Sequence, residues 1–150
     1  MIKQEDINKH RYSIIPNQNL LIGENWVSSK SGKTQSIISP IDGKIISELQ
    51  VANNFDVNEA VLSAREVFDK GHWSNMPPLN RKKIMLRIAE IIEEKILELT
   101  VLGVRDNGTE FNMALRAEPG SAAGTFRYYA EAIDKIYGEV SNTSSDFIGL

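Results

Sequence analysis

Residues 79–102 read LNRKKIMLRIAEIIEEKILELTVL, and the reading of this stretch decides the fold. Apolar residues recur at Ile84, Ile88, Ile91, Ile92, Ile96, Leu99 and Leu102, in the three- and four-residue steps of one helix face. Met85 and Ala89 widen that stripe, while Arg81, Lys82, Arg87, Glu90, Glu93, Glu94 and Glu98 take the opposite side. Asn80 is the N-cap candidate, with Lys83 where a capping-box acid would stand. Helical propensity alone does not hold such a helix in water, so the stripe must lie on another surface.

Upstream, Met76-Pro77-Pro78 bars helix before Leu79. The preceding helix is expected to start with Asp56 as N-cap and Glu59 as its capping-box partner, and to stop at Gly71. Its stripe is Val57, Ala60, Val61, Ala64 and Phe68. Before it, Gln35–Ile38 and Lys44–Val51 flank Pro40-Ile41-Asp42-Gly43, a turn sequence that predicts a β-hairpin. Leu20–Ile22 and Trp26-Val27 read as shorter extended pieces around Gly23-Glu24-Asn25. Residues 1–19 form a polar N-terminal arm with a short helical turn. Downstream, Asp106-Asn107-Gly108 is a turn, Glu110–Arg116 a short helix broken at Glu118-Pro119-Gly120, and Ser121–Tyr137 a further helix. Residues 139–150 read as extended. No repeat, low-complexity tract or linker interrupts the chain.

The 150 residues suffice for one domain with a core, and 41% hydrophobic with 25% charged residues is the balance of a globular protein. A net charge of −3 gives no basic field for nucleic acid. No apolar run can span a bilayer, and MIKQEDINKH lacks a signal-peptide core, so a cytoplasmic location without membrane partners is expected. Zero cysteines exclude disulfides, thiolate metal sites and a cysteine nucleophile within these residues.

The individual motifs carry no chemistry by themselves. Ser31-Gly32-Lys33-Thr34 resembles the end of a phosphate loop, but the required earlier glycine is Val27 and no helix follows, so a polar hairpin turn is the better reading. Gly120 and Gly124 bracket small residues without a preceding strand, which indicates close helix packing rather than a dinucleotide turn. The glutamates of the long helix lie on a solvated face that offers no pKa-shifting pocket. His10 and His72 belong to no metal-ligand pattern. Asn142-Thr143-Ser144 fits a glycosylation sequon that a cytoplasmic chain would not use.

Taken in order, the pieces resemble the N-terminal part of the NAD(P)-dependent aldehyde dehydrogenase superfamily. They are Leu21-Ile22-Gly23-Glu24-Asn25-Trp26-Val27, Ser31-Gly32-Lys33-Thr34, Ser39-Pro40-Ile41-Asp42-Gly43, Asp56–Phe68, Trp73-Ser74, Arg81–Glu94, Asp106-Asn107-Gly108, Arg127-Tyr128-Tyr129-Ala130 and residues 134–140. Tyr129–Lys135 is especially similar to the putrescine-utilisation branch, which oxidises γ-glutamyl-γ-aminobutyraldehyde and related aminoaldehydes. Two departures stand out. Asn107-Gly108 is followed by Thr109-Glu110 where the family has Lys-Pro, and the proline of Glu118-Pro119-Gly120 is displaced by one position.

The resemblance implies an α/β fold whose N-terminal strands and helices pack on a Rossmann-type NAD-binding sheet missing from this chain. Residues 20–140 would be the N-terminal part of the NAD-binding domain, and 141–150 the start of the next extended segment. The family's nucleophilic cysteine, general-base glutamate and NAD loop have no counterparts here, so the chain alone is expected to be inactive and to bind neither NAD nor NADP. Backbone oxygens near Ile37 and Ile38, with Asp106, map to a monovalent-cation site. Glu118 and Ser121 map to the mouth of the substrate tunnel, where Glu118 would meet a cationic substrate end; an acid at a helix start is the alternative for it. Family members are homo-oligomers that take small-molecule aldehydes. Two expectations follow: a portion of an aldehyde dehydrogenase, whether a truncated product or a piece of a longer enzyme, or a non-catalytic module docking on a dehydrogenase subunit or another partner through its exposed helix face. In either case the chain is expected to self-associate or to need a partner.

Overall fold

Two reversals of the chain create its strands. Leu20–Ile22 (β1) pairs antiparallel with Asn25–Val27 (β2), and Thr34–Ile38 (β3) with Ile45–Gln50 (β4). The second reversal is the Pro40–Gly43 turn, in which Gly43 takes a φ of 70° that side-chain-bearing residues avoid. A computed structural model describes residues 2–138 and 146; the expectations for residues 139–145 and 147–150, including the extended run and the sequon, lie outside the described residues. Within the described residues the two sheets are both two-stranded, and the Ser31–Thr34 turn joins one to the other rather than closing a hairpin.

The N-terminal arm holds more helix than its sequence suggests. Gln4–Arg11 (α1) is a helix of 8 residues that buries none of them. It is tied down from far along the chain: Arg105 Nη1 donates to the carbonyls of His10 (3.3 Å) in the last turn and of Ser13 (2.9 Å) just beyond it. The following segment then runs beside β4, where Gln18 N donates to Glu48 O at 2.7 Å and Gln50 N to Gln18 O at 2.9 Å.

Asn54–Lys70 (α2) starts earlier than the Asp56 cap would place it. Asn53 is the N-cap, its side chain accepting from Phe55 N and Asp56 N. Asp56 is the reciprocal partner, accepting from Asn53 N at 2.9 Å. Two good cap residues stood three apart, and the one that completes both halves of the box won. The expected stripe is not buried: Val57, Val61 and Phe68 are each more than half exposed, and Asp56 is the buried residue of the helix.

The long stripe of 79–102 divides in two. Pro78–Glu94 (α3) and Ile96–Asn107 (α4) meet at Lys95, whose φ of −102° and ψ of 13° break the ladder. α3 begins with Pro78 at its first position, where the missing N–H costs nothing, and Asn80 lies inside the helix rather than capping it. Phe111–Ala117 (α5) is capped by Glu110, whose carboxylate accepts from Asn112 N and Met113 N. Pro119–Ala132 (α6) follows and ends in a 3₁₀ turn, Ile133–Lys135.

Among the described residues the buried apolar side chains include Ala89, Val101, Ala114, Pro119, Ala123 and Ala130. A core made chiefly of alanines lets helices approach closely and supplies little apolar area per residue. α3 and α6 make the main helix–helix contact. Lys82 Nζ joins them to Glu131 (2.6 Å) and Asp134 (3.4 Å), and Arg127 to Glu93. Among the small residues of α6, Gly120 lies against the Leu115 carbonyl and Ala123 is buried, whereas Gly124 faces open space. Close packing there belongs to the first two.

Candidate functional site

Three places could carry chemistry. The first lies where the β3–β4 hairpin meets the end of α4. The register steps from Ile37 opposite Ser47 to Ile38 opposite Ile45, leaving Ile46 as an extra residue that locally disrupts the ladder. Gly108, just past α4, faces the hairpin turn: a Cβ there would stand 3.2 Å from Pro40 Cγ. Asp106 is exposed on the last turn of α4. The structure thus brings the turn after Asp106 against the end of the strand that carries Ile37 and Ile38. Among the described residues no three His, Cys, Asp or Glu side chains cluster as a metal site.

Glu118 and Ser121 stand at the α5–α6 junction. Glu118 Oε1 accepts from Asn107 Nδ2 at 2.9 Å, and its carboxylate lies across Gly103 of α4. Ser121 is exposed in the first turn of α6. The Glu118 side chain therefore joins α6 to α4.

The third place is a cleft of about 350 Å³ between α1, the hairpin turn and α4, lined among others by Arg11, Ser39, Asp42, Lys44 and Arg105. Lys44 N–H and the Ser39 hydroxyl hold the Asp42 carboxyl below its usual range, with Lys44 charge adding to it. A carboxylate kept ionised by turn hydrogen bonds is a structural acceptor, a poor general base at neutral pH.

The buried carboxylate of Asp56 went unrecognised in the sequence as a tertiary link. It accepts from Ser29 Oγ at 2.7 Å, Asn53 N and Lys30 N at 3.1 Å, fastening the loop before β3 to α2. The Ser29 bond, then that of Asn53, holds its pKa below the usual aspartate value against the opposing effect of burial. The Ser31-Gly32-Lys33-Thr34 stretch is part of this fastened loop, with Ser31 Oγ donating to Val51 O at 3.0 Å.

A dinucleotide needs a strand–glycine turn–helix unit on a parallel sheet. Both sheets of the described residues are antiparallel pairs, and neither offers that turn.

Strands, then a helical layer with an alanine core and large uncovered apolar faces, can be compared with known proteins as a unit. The aldehyde dehydrogenase family profile matches residues 26–149. The chain belongs to the aldehyde dehydrogenase family. The mitochondrial aldehyde dehydrogenase family 2 member B4 of Arabidopsis thaliana is 40% identical over 119 residues, 79% of this chain and 22% of that protein. The indole-3-acetaldehyde dehydrogenase of P. syringae, solved with NAD⁺, superimposes with a TM-score of 0.91 at 30% identity, over 99% of this chain and 30% of that one. The γ-glutamyl-γ-aminobutyraldehyde dehydrogenase of Burkholderia cenocepacia gives 0.87 at 31% identity, over 93% and 28%. The chain thus spans less than a third of each of these aldehyde dehydrogenases. Its α/β architecture matches theirs and holds part of a domain. Among the described residues no helix is long and apolar enough to cross a membrane.

Proposed function

We propose that this chain is the N-terminal part of an NAD(P)-dependent aldehyde dehydrogenase fold, structural rather than catalytic by itself. The observation that carries the reading is a family match over residues 26–149 in a chain without a single cysteine. Oxidation of an aldehyde through a thiohemiacetal needs a thiolate nucleophile, and these residues supply none. Residues 20–140 are the part of the NAD-binding domain that precedes the glycine-rich turn, and 141–150 lead into the next segment. The complete fold would take an aldehyde and NAD or NADP and release a carboxylic acid, acting as a cytoplasmic homo-oligomer.

For the substrate we assign the aminoaldehyde class. Its support is the Tyr129–Lys135 block and the likeness to the B. cenocepacia enzyme. Within this reading Ser121, exposed at the start of α6, and the neighbouring Glu118 belong to the tunnel mouth. Backbone oxygens around Ile37 and Ile38 with Asp106 belong to a monovalent-cation site; the register shift at Ile37/Ile38 and the seat of Gly108 on Pro40 favour it.

The test is NADH or NADPH formation by the purified chain with propanal and γ-aminobutyraldehyde. No turnover is expected. Turnover that follows this chain through repurification and survives removal of contaminating dehydrogenases would overturn the reading.

A further inference from the structure

Two cavities share Arg11, Ile41 and Arg105. One is the polar cleft between α1, the hairpin turn and α4, where Asp42 and Lys44 add to the lining. The other also measures about 350 Å³, and its remaining walls are apolar apart from Gln4: Ile7 of α1, Val101 and Val104 of α4, and Phe111 at the start of α5. The two arginines therefore stand where an apolar chamber joins a polar one. Small-molecule sites have this make-up, with volumes from about 300 Å³ upward, mostly apolar walls and a few placed polar groups.

The charges decide what such a site takes. Lys44 lies 3.5 Å from Asp42, so that pair answers itself. Arg105 Nη1 is occupied by the carbonyls of His10 and Ser13 at 3.3 and 2.9 Å. These neutral acceptors fix the guanidinium and leave its charge in place. The Arg11 guanidinium lies 5.6 Å from the centroid of the Tyr12 ring, again a neutral partner. Among the described residues neither arginine is paired with a carboxylate. Guanidinium forks match the two oxygens of a carboxylate, and groups already held in place lose little freedom on binding one. Inorganic phosphate would leave the apolar chamber unfilled, and a neutral hydrocarbon would leave both cations unanswered.

We propose that this composite cavity binds an apolar monocarboxylate, a medium-chain fatty acid or an arylalkanoate. Its carboxylate sits on Arg11 and the donors left to Arg105, and its apolar body lies against Val101, Val104 and Phe111. Such a ligand ties α1 to α4 a second time, beside the Arg105 bonds. The effect is readable because α1 buries none of its own residues. This site stands on cavities within the chain and is independent of the functional reading above.

The experiment titrates the 150-residue chain with octanoate below its micelle concentration, with octanol and with inorganic phosphate, followed by calorimetry and amide chemical shifts. The expected result is a single saturable octanoate site, with shifts at Ile7, Val101, Val104 and Phe111 and slower hydrogen exchange along α1. Octanol and phosphate each lack one half of the match and should bind roughly tenfold more weakly or worse. Arg11→Gln alters an exposed side chain, and Ile41→Glu sets an acid at the junction on a residue already 58% exposed. Each is expected to lower octanoate affinity roughly tenfold while keeping the helical circular dichroism of the parent. Octanoate binding no tighter than octanol, or unchanged in either variant, would overturn the proposal. So would shifts confined to α2, or the absence of any saturable octanoate binding.

Discussion

The Glu118 carboxylate lies across Gly103: Oε1 is bonded to Asn107 Nδ2 at 2.9 Å, and Oε2 occupies the space a Cβ at position 103 would need. Glycine in mid-helix normally costs about 1 kcal/mol relative to alanine, and here it makes room for a tertiary link between α4 and the start of α6. Gly103→Ala in the parent chain is expected to bring no stabilisation, because the carboxylate must leave Asn107. In a Glu118→Ala background the same change is expected to stabilise α4 by about 1 kcal/mol. Hydrogen exchange of the α4 amides measures both arms. Equal stabilisation in the two backgrounds would refute the coupling.

Asn53 closes the first turn of α2 through two backbone N–H groups. Asn53→Ala is expected to raise the local opening of α2 by about 1 kcal/mol, with Asn53→Asp close to the parent. Exchange rates at Phe55 and Asp56 report it.

Asp56 adds a pH dependence of defined sign. Its folded pKa lies below the unfolded value because Ser29, Asn53 and Lys30 donate to the ionised form. The stabilisation is therefore present above the unfolded pKa and lost as pH falls through the folded one, below about pH 4. Asp56→Asn should remove this acid limb and release the Ser29–Lys33 loop at neutral pH. A parent and variant with the same acid profile, followed by helical circular dichroism, would contradict it.

The apolar residues of α2 should behave as surface in the isolated chain. Val61→Thr with Phe68→Ser is expected to change local stability by no more than about 0.5 kcal/mol, while reducing dye binding and self-association. Ala89→Leu, in the buried alanine layer, should cost about 1–3 kcal/mol. The contrast is read from hydrogen exchange and sedimentation.

Much of this was legible in the sequence. The Pro40–Gly43 turn announced its hairpin through residues that only a reversal needs, and the order of motifs announced the family. The break at Lys95 was not, since Ile92, Ile96 and Leu99 keep the helical period through it and no proline or glycine marks the place. The full length of helix α1 was also hidden behind the expected short turn, because what holds its end is Arg105, some ninety residues further on. Position 106 falling beside the hairpin depends likewise on the seat of Gly108 against Pro40. The α2 stripe was read correctly as apolar, but periodicity says which residues share a face, and the chain described here does not contain the surface that face requires.

Among the described residues α2 packs chiefly on the short strand β1 and leaves Val57, Val61 and Phe68 more than half exposed. Residue-resolved hydrogen exchange of the isolated chain, kept dilute enough to remain unassociated, tests this directly. The amides of α2 beyond its capped first turn should exchange far faster than those of α3 and α6, which share the alanine-lined contact. Protection of α2 equal to that of α3 would show a self-sufficient domain with its helix already covered, and would contradict the incomplete fold.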